Sequence, residues 1–309
     1  MEPIKVLFFQ FSSEDNCEEY NFIMNEILPK YFKKYVKFIK PSDIDQINEN
    51  FDVFVYPCRD RNVVTYYGSA PVFEQVLECV IKVKPKIIIQ LYDESSLEYL
   101  DNHLTLSKYC KLFLKQYKHY YHNFPENVVQ IPLGYLNNFN VDLNNIKPVK
   151  ERKYFWGWSG NLKNDRSEML NNFLNYVWKG VVYSNLSLNV FETSQLYKEC
   201  IFVPCGRGNF TLDCWRIYEA IVSGSIPVIV GSDEEVKNTF DYSEFPPFIH
   251  DETWYGASQK CVKLLDNYIK GDLEELQHIQ NNLLTWWNNV MNSVSMKVYH
   301  VLINDFYQT

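Results

Sequence analysis

Short apolar runs rich in β-branched and aromatic residues recur along this chain, and several are followed by segments with helical spacing. The run IKVLFFQF (4–11) precedes EEYNFIMNEIL (18–28), where Tyr20, Ile23, Met24 and Ile27 recur at helical intervals. VKFI, FDVFVYP and KIIIQLY (86–92) read as further buried strands, with VFEQVLECVIKV as a helix before the last of them. KLFLKQY (111–117) and NVVQIPL (127–133) continue the series. Strands that alternate with helices build a parallel sheet covered by helices on both faces, so the expected class is α/β.

The alternation stops at GYLNNFNVDLNNIKPVK (134–150), which is Asn-rich, carries a proline and has no period; it reads as a linker. A second series then begins. KYFWGWSG is a strand and turn, DRSEMLNNFLNYV a helix, and a helix near 192–199 leads into the strand CIFVPC. The helix TLDCWRIYEAIVS precedes the strand SIPVIV, and the pattern is helical from Trp254 to the end. A length of 309 residues suits two domains of about 150 each. The expected division is a Rossmann-like domain over 1–140, a second over 151–285 and a C-terminal helix over 286–309.

Composition narrows the function classes. A net charge of −8 argues against general nucleic-acid binding, which depends on a basic surface, but leaves room for an anionic small molecule bound by local charge. The start, MEPIKVLFFQFSSEDN, reads as a first strand and not as a signal peptide, and no stretch reaches the roughly 20 apolar residues of a membrane span. The eight cysteines are scattered, with no CxxC pair. They read as reduced thiols, and the expected location is cytoplasmic.

The stretch CGRGNFTLDCWRIYEAIVSGSIPVIVG (205–231) holds two of the six arginines and four of the eleven glycines. Gly206 and Gly208 let backbone pass close to a ligand. Thr211 or Asp213 is placed to cap the following helix, on which Arg216, Glu219 and Ser223 share one face. A glycine turn at a helix start is suited to an anion, and Arg207 and Arg216 add charge-assisted donors. The plainer alternative is an Arg216–Glu219 pair on a solvated helix face. Against it stands the inventory: 24 lysines and only six arginines, four of them (Arg152, Arg166, Arg207, Arg216) at or beyond position 152. Arginine where lysine is the default suggests a need for the planar fork, and the clustering favours a diphosphate.

This stretch resembles the C-terminal signature of exostosin-type glycosyltransferases: a Gly/Arg turn, then R-x-x-E-A on a helix, then G-x-IPVI on a strand. YFWGWSGNLKNDRSEML (154–170) is similar to the opening of that family's nucleotide-binding domain. IIIQLYDES and NVVQIPLGY are similar to the end of its acceptor domain. The likeness covers roughly residues 86–250. It implies a GT-B fold, two Rossmann-like domains facing across a cleft, with acceptor bound by the first and nucleotide sugar by the second. It also implies a C-terminal helix packing back on the first domain, a part open to LLTWWNNVMNSVSMKVYHVLINDF (283–306).

Glycosyl transfer requires a stabilised diphosphate and a base for the acceptor hydroxyl. One D-x-D motif, Asp43–Asp45, follows a proline and reads as a helix N-terminus with Ser42 or Asp43 as cap, not as a metal site. No metal or other cofactor is expected. The expected nucleotide-sugar ligands are Gly160, Asn161, Arg166, Arg207, Gly208, Arg216 and Glu219, with Glu219 on the ribose hydroxyls as the resemblance implies. Asp93 and Glu94, after the strand KIIIQLY, are the expected base, and a helix cap with a first-turn acid is their plainer reading. His119 and His122 are alternative bases; Ser12–Asp15, Arg59 and Arg61 are candidate acceptor contacts. The expected activity is a metal-independent, inverting transfer from a UDP-sugar to a glycan hydroxyl. The alternatives are GDP-fucose as donor, a binding module without catalysis, and a nucleotide-sugar 2-epimerase. The missing signal peptide suggests glycan synthesis in a bacterial or virus-infected cytosol.

Overall fold

The computed structural model describes residues 2–57, 73–91, 104–117, 124–185, 187–208, 211–242 and 244–303. The chain divides into two compact units. One comprises Met1–Leu133 together with Met291–Thr309, the other Gly134–Val290.

The first unit is built on six parallel strands: β1 (Ile4–Phe9), β2 (Lys34–Ile39), β3 (Val53–Pro57), β4 (Ile87–Leu91), β5 (Leu112–Lys115) and β6 (Val128–Gln130). Their order is β2-β1-β3-β4-β5-β6, so the direction of winding reverses between β1 and β3. The central strands β3 and β4 are buried at every residue, which is why their sequences are unbroken apolar runs. Leu7, Phe54, Ile88 and Phe113 form one face of the sheet, packed with Val76, Cys79, Val80 and Val83 of an amphipathic helix. The helical spacing read over 18–28 becomes one α-turn, α1 (Tyr20–Phe22), continued by a π-turn (Ile23–Ile27). The amphipathic helix is α2 (Phe73–Val83).

The D-x-D motif lies in a 3₁₀ turn, Pro41–Gln46, with proline at its first position. Its cap residue is Lys40, without a side-chain capping bond, so neither Ser42 nor Asp43 caps it; Ser42 Oγ donates to Asp43 Oδ1 instead. Proline suits the first helical position, where its fixed φ matches the helix and an N–H would have no intrahelical partner, so the turn starts at Pro41, ahead of Ser42 and Asp43.

The second unit carries five parallel strands: β7 (Tyr154–Gly160), β8 (Gly180–Ser184), β9 (Cys200–Pro204), β10 (Ile226–Val230) and β11 (Ile249–Asp251). Between them run α3 (Arg166–Tyr176), α4 (Val190–Lys198), α5 (Trp215–Val222), α6 (Asp233–Thr239) and α7 (Trp254–Ile269). The sheet order is β11-β10-β9-β7-β8. Trp156, Trp158, Phe173, Phe202, Val228 and Trp254 fill its core. Capping is local and sequence-encoded: Asn189 and Glu192 form a reciprocal capping box on α4, and Thr253 accepts from the Gly256 N–H at the start of α7.

The last helix, α8 (Glu274–Ile303), begins in the second unit, and its residues from Met291 are grouped with the first. There Tyr299 packs its ring against Tyr31 and Phe32. No helix among the described residues is long and apolar enough to cross a membrane.

Candidate functional site

In the second sheet β7 lies between β8 and β9. The chain winds outward from β7 to β8, then crosses back to β9. The loops leaving the C-terminal ends of β7 and β9 therefore diverge, and ligands bind in the crevice such a reversal opens. Every residue the sequence assigns to nucleotide-sugar binding lies at the end of β7 or in or just after those two loops: Gly160 ends β7, Asn161 and Arg166 follow it, and Arg207, Gly208, Arg216 and Glu219 follow β9.

Arg216 stands at the second position of α5 and is half-buried. Its Nε donates to Ser159 O at 3.0 Å, and its guanidinium carbon lies 5.7 Å from the Trp158 ring centroid. A Cβ at Gly160 would meet Arg216 Nη2 at 2.2 Å, so glycine at the end of β7 is what lets the guanidinium lie there. Arg166, the first residue of α3, is 4% exposed. It donates from Nη1 to Asn161 O at 3.0 Å and from Nη2 to Arg207 O at 3.4 Å, and its Nε has no hydrogen-bond partner among the described residues. Burial first, and the like charge of Arg216 second, hold the Arg166 pKa below its ordinary value. Two guanidinium groups thus converge at the strand reversal, and neither makes a salt bridge among the described residues. An anion is the group that relieves such a pair.

Glu219 lies one turn further along α5 and is 5% exposed. Burial raises its pKa to about 7, against the opposing pull of Arg216 and of a hydrogen bond from the Leu136 backbone N–H. Ser223, on the same face, is 1% exposed. The face carrying Arg216, Glu219 and Ser223 therefore turns inward, and the plainer alternative of a solvated ion pair does not hold.

Other expected features fall differently. Arg207 pairs its guanidinium with the Glu235 carboxylate and donates to Val230 O at 3.4 Å, toward β10. Its backbone N–H bonds Asp165 Oδ1 at 3.0 Å, and the Gly208 N–H bonds Thr211 O at 3.0 Å, so these two N–H groups of the glycine turn are bonded within the protein. The helix expected from Thr211 begins at Trp215, with Cys214 in an extended conformation as its cap residue and no side-chain capping bond. Neither Thr211 nor Asp213 caps it, because Thr211 Oγ1 accepts from the Asp213 N–H and closes a tight turn ahead of the helix.

Arg152 is a buried structural group. It donates to Lys147 O, Tyr197 O, Cys200 O, Ser225 Oγ and Ser223 O, at 2.6–3.3 Å. Asp93 and Glu94, with Arg59, Arg61, His119 and His122, lie outside the described residues. Ser12 and Ser13 hydroxyls both bond Asn16 Oδ1, just past the end of β1 and beside the first sheet's own strand reversal.

Further along the same edge, a cavity of about 550 Å³ opens at the ends of β10 and β11. It is lined by Ser232, Asp233, Glu234, His250, Asp251 and Lys260, among others. His250 Nε2 and Asp233 Oδ1 are 2.7 Å apart, and Lys260 pairs with Asp251 at 3.0 Å. The sequence reading assigned none of these residues. Their signal is only the polar GSDEE that follows the strand SIPVIV.

No protein-family model matches the chain, and no curated protein matches it by sequence. Solved structures resemble it over nearly the whole length. An alpha-glucosyltransferase in complex with UDP-glucose and DNA containing an abasic site aligns at 10% identity and a TM-score of 0.54, covering 92% of this chain and 94% of that one. Alr3699/HepE of Anabaena, in complex with UDP and glucose, aligns at 10% identity and 0.55, covering 97% and 100%. A putative UDP-N-acetylglucosamine 2-epimerase from Listeria monocytogenes aligns at 10% and 0.54, covering 100% and 98%. At these identities the likeness is one of fold: two parallel-sheet α/β units with a helical C-terminus, the GT-B fold.

Proposed function

We propose that this chain is a glycosyltransferase of exostosin type that moves a sugar from a UDP-sugar to a hydroxyl of a glycan acceptor. The observation that carries this reading is the convergence of Arg166 and Arg216 at the β7–β9 reversal, without a carboxylate paired to either among the described residues. A nucleotide diphosphate is the anion that fits beside a glycine-ended strand and an uncapped helix start.

In this account the acceptor oxygen bonds the anomeric carbon as the bond from that carbon to the β-phosphate oxygen breaks. UDP departs with the electron pair, and the hydroxyl proton passes to Asp93 or Glu94. A single displacement inverts the anomeric centre. Arg216, Arg166 and the start of α5 stabilise the charge that develops on the leaving diphosphate, so this mechanism uses no metal. Glu219 accepts from the ribose hydroxyls. The acidic cavity at β10–β11 lies about two strand spacings, ~10 Å, along the same edge. Its carboxylates and hydroxyl suit a sugar ring, and Arg207 spans the interval.

The test is a melting-temperature panel with UDP, GDP, CMP and their sugars, in EDTA and in manganese. A ligand at 100 times its Kd adds about 2.7 kcal/mol. The expected result is a shift with UDP and UDP-sugars that EDTA leaves intact. A shift with GDP-fucose alone would move the donor class. No shift with any nucleotide would remove the reading. Turnover of donor without acceptor would favour epimerisation, and binding without any turnover a non-catalytic module.

A further inference from the structure

The loop that follows β9 is held by three consecutive residues where the loop that follows β7 enters α3. Asn164 Nδ2 donates to Gly208 O at 2.6 Å. Asp165 Oδ1 accepts the Arg207 N–H at 3.0 Å. Arg166 Nη2 donates to Arg207 O at 3.4 Å. The other oxygen of Asp165, Oδ2, accepts from Trp254 Nε1 at 2.9 Å, and that indole is 1% exposed at the start of α7. One carboxylate thus joins the β7 loop, the β9 loop and the first residue of α7.

Each part of this arrangement constrains the sequence. Asp165 occupies the cap position of α3 yet makes no side-chain capping bond, so its carboxylate is committed elsewhere. Asn164 has φ +52°, the left-handed region that asparagine tolerates better than most residues. A Cβ at Gly206 would lie 2.6 Å from Arg166 Cγ and 3.1 Å from Asp165 Oδ1, so the turn can close on these side chains only with glycine there.

We propose that Asp165 is a positioning residue for donor binding, with Asn164 as its second arm. It touches no substrate. It fixes the Gly206–Gly208 turn, and through that turn the start of α5, where Arg216 and Glu219 stand. The inference rests on the nucleotide-sugar reading of that site for its consequence in binding, but the clamp itself can be read independently. A loop fixed before the ligand arrives spares the ordering cost at binding.

The substitution that isolates the claim is Asp165→Asn. Two N–H donors face the two carboxylate oxygens, and an amide can accept from only one of them. The expected result is a Kd for UDP raised at least tenfold, kcat at saturating UDP-sugar within twofold of wild type, and amide exchange over 205–208 at least tenfold faster, with β9 and α3 unchanged. A merely structural role would lower the melting temperature and leave both Kd and local exchange of the folded protein alone. A folded D165N within twofold of wild type in both readouts overturns the proposal. Should D165N fail to fold, Asn164→Gly keeps the left-handed backbone and removes one arm. It is expected to raise the UDP Kd about threefold, and an unchanged Kd with unchanged exchange over 205–208 would refute the clamp. If wild type binds no UDP, the functional reading falls, and exchange over 205–208 still decides whether Asp165 fixes the turn.

Discussion

Glu219 offers a prediction whose size follows from its surroundings. Its carboxyl is buried on α5 between Arg216 and the Leu136 N–H, near the buried Tyr197 hydroxyl, and burial raises its pKa to about 7. If, as proposed, Glu219 accepts from the ribose hydroxyls in its ionised form, the protein must shed this proton to bind the donor. At pH 5.5 about 3% of the group is ionised, and forcing ionisation costs roughly 2 kcal/mol at 1.36 kcal/mol per unit. UDP-glucose should then bind about 30-fold more weakly at pH 5.5 than at pH 8. Its diphosphate, esterified at both ends, does not titrate in this range, which makes it a cleaner probe than UDP. The assay is isothermal calorimetry across pH in two buffers of different ionisation enthalpy, which also counts the proton released. Glu219→Gln should bind more weakly at pH 8 and show no pH slope. The sign for stability is opposite. A carboxyl raised from 4.5 to about 7 contributes stability that is fully present below pH 4.5 and lost as pH rises through 7, at most about 3.4 kcal/mol. Unliganded wild type should lose stability over that window, and E219Q should not. A wild-type Kd that is flat from pH 5.5 to 8 would refute the reasoning.

Three further outcomes follow from the same structure. Arg216→Lys removes the Nε donor to Ser159 O and the planar fork beside Trp158. It should weaken UDP binding by about 10- to 150-fold, the equivalent of one charge-assisted hydrogen bond, while unfolding stays cooperative; unchanged affinity in calorimetry would remove Arg216 from the site. Asp93→Asn should spare UDP-glucose binding and abolish transfer, measured as product by mass spectrometry; normal turnover would place the base elsewhere. Arg152→Lys can replace at most three of the five hydrogen bonds and should cost about 2–5 kcal/mol in urea unfolding with little change in UDP Kd; a loss below about 0.5 kcal/mol would contradict the structural role.

The architecture was legible where burial on two faces forces apolar composition. β1, β3, β4, β9 and β10 are such runs. β8 escaped notice because it is an edge strand with every residue partly or fully exposed, and β11 because it has three residues. The scarcity of arginine drew attention to the arginines of the second unit, but scarcity did not sort them. Of the four arginines among the described residues, Arg152 serves carbonyl oxygens and the Ser225 hydroxyl, Arg207 pairs with Glu235, and Arg166 and Arg216 are brought together. Asn164 and Asp165 carry no signal beyond the polar start of a helix, because what defines them is a partner more than 40 residues away.

The measurement that tests the central claim most directly is a crystal structure of the protein with UDP bound in EDTA. The account predicts diphosphate oxygens within hydrogen-bond distance of the Arg216 guanidinium, beside Gly160 and the start of α5, with the ribose hydroxyls on Glu219. A nucleotide bound elsewhere with Arg216 unoccupied, or no bound nucleotide at millimolar UDP, would contradict it.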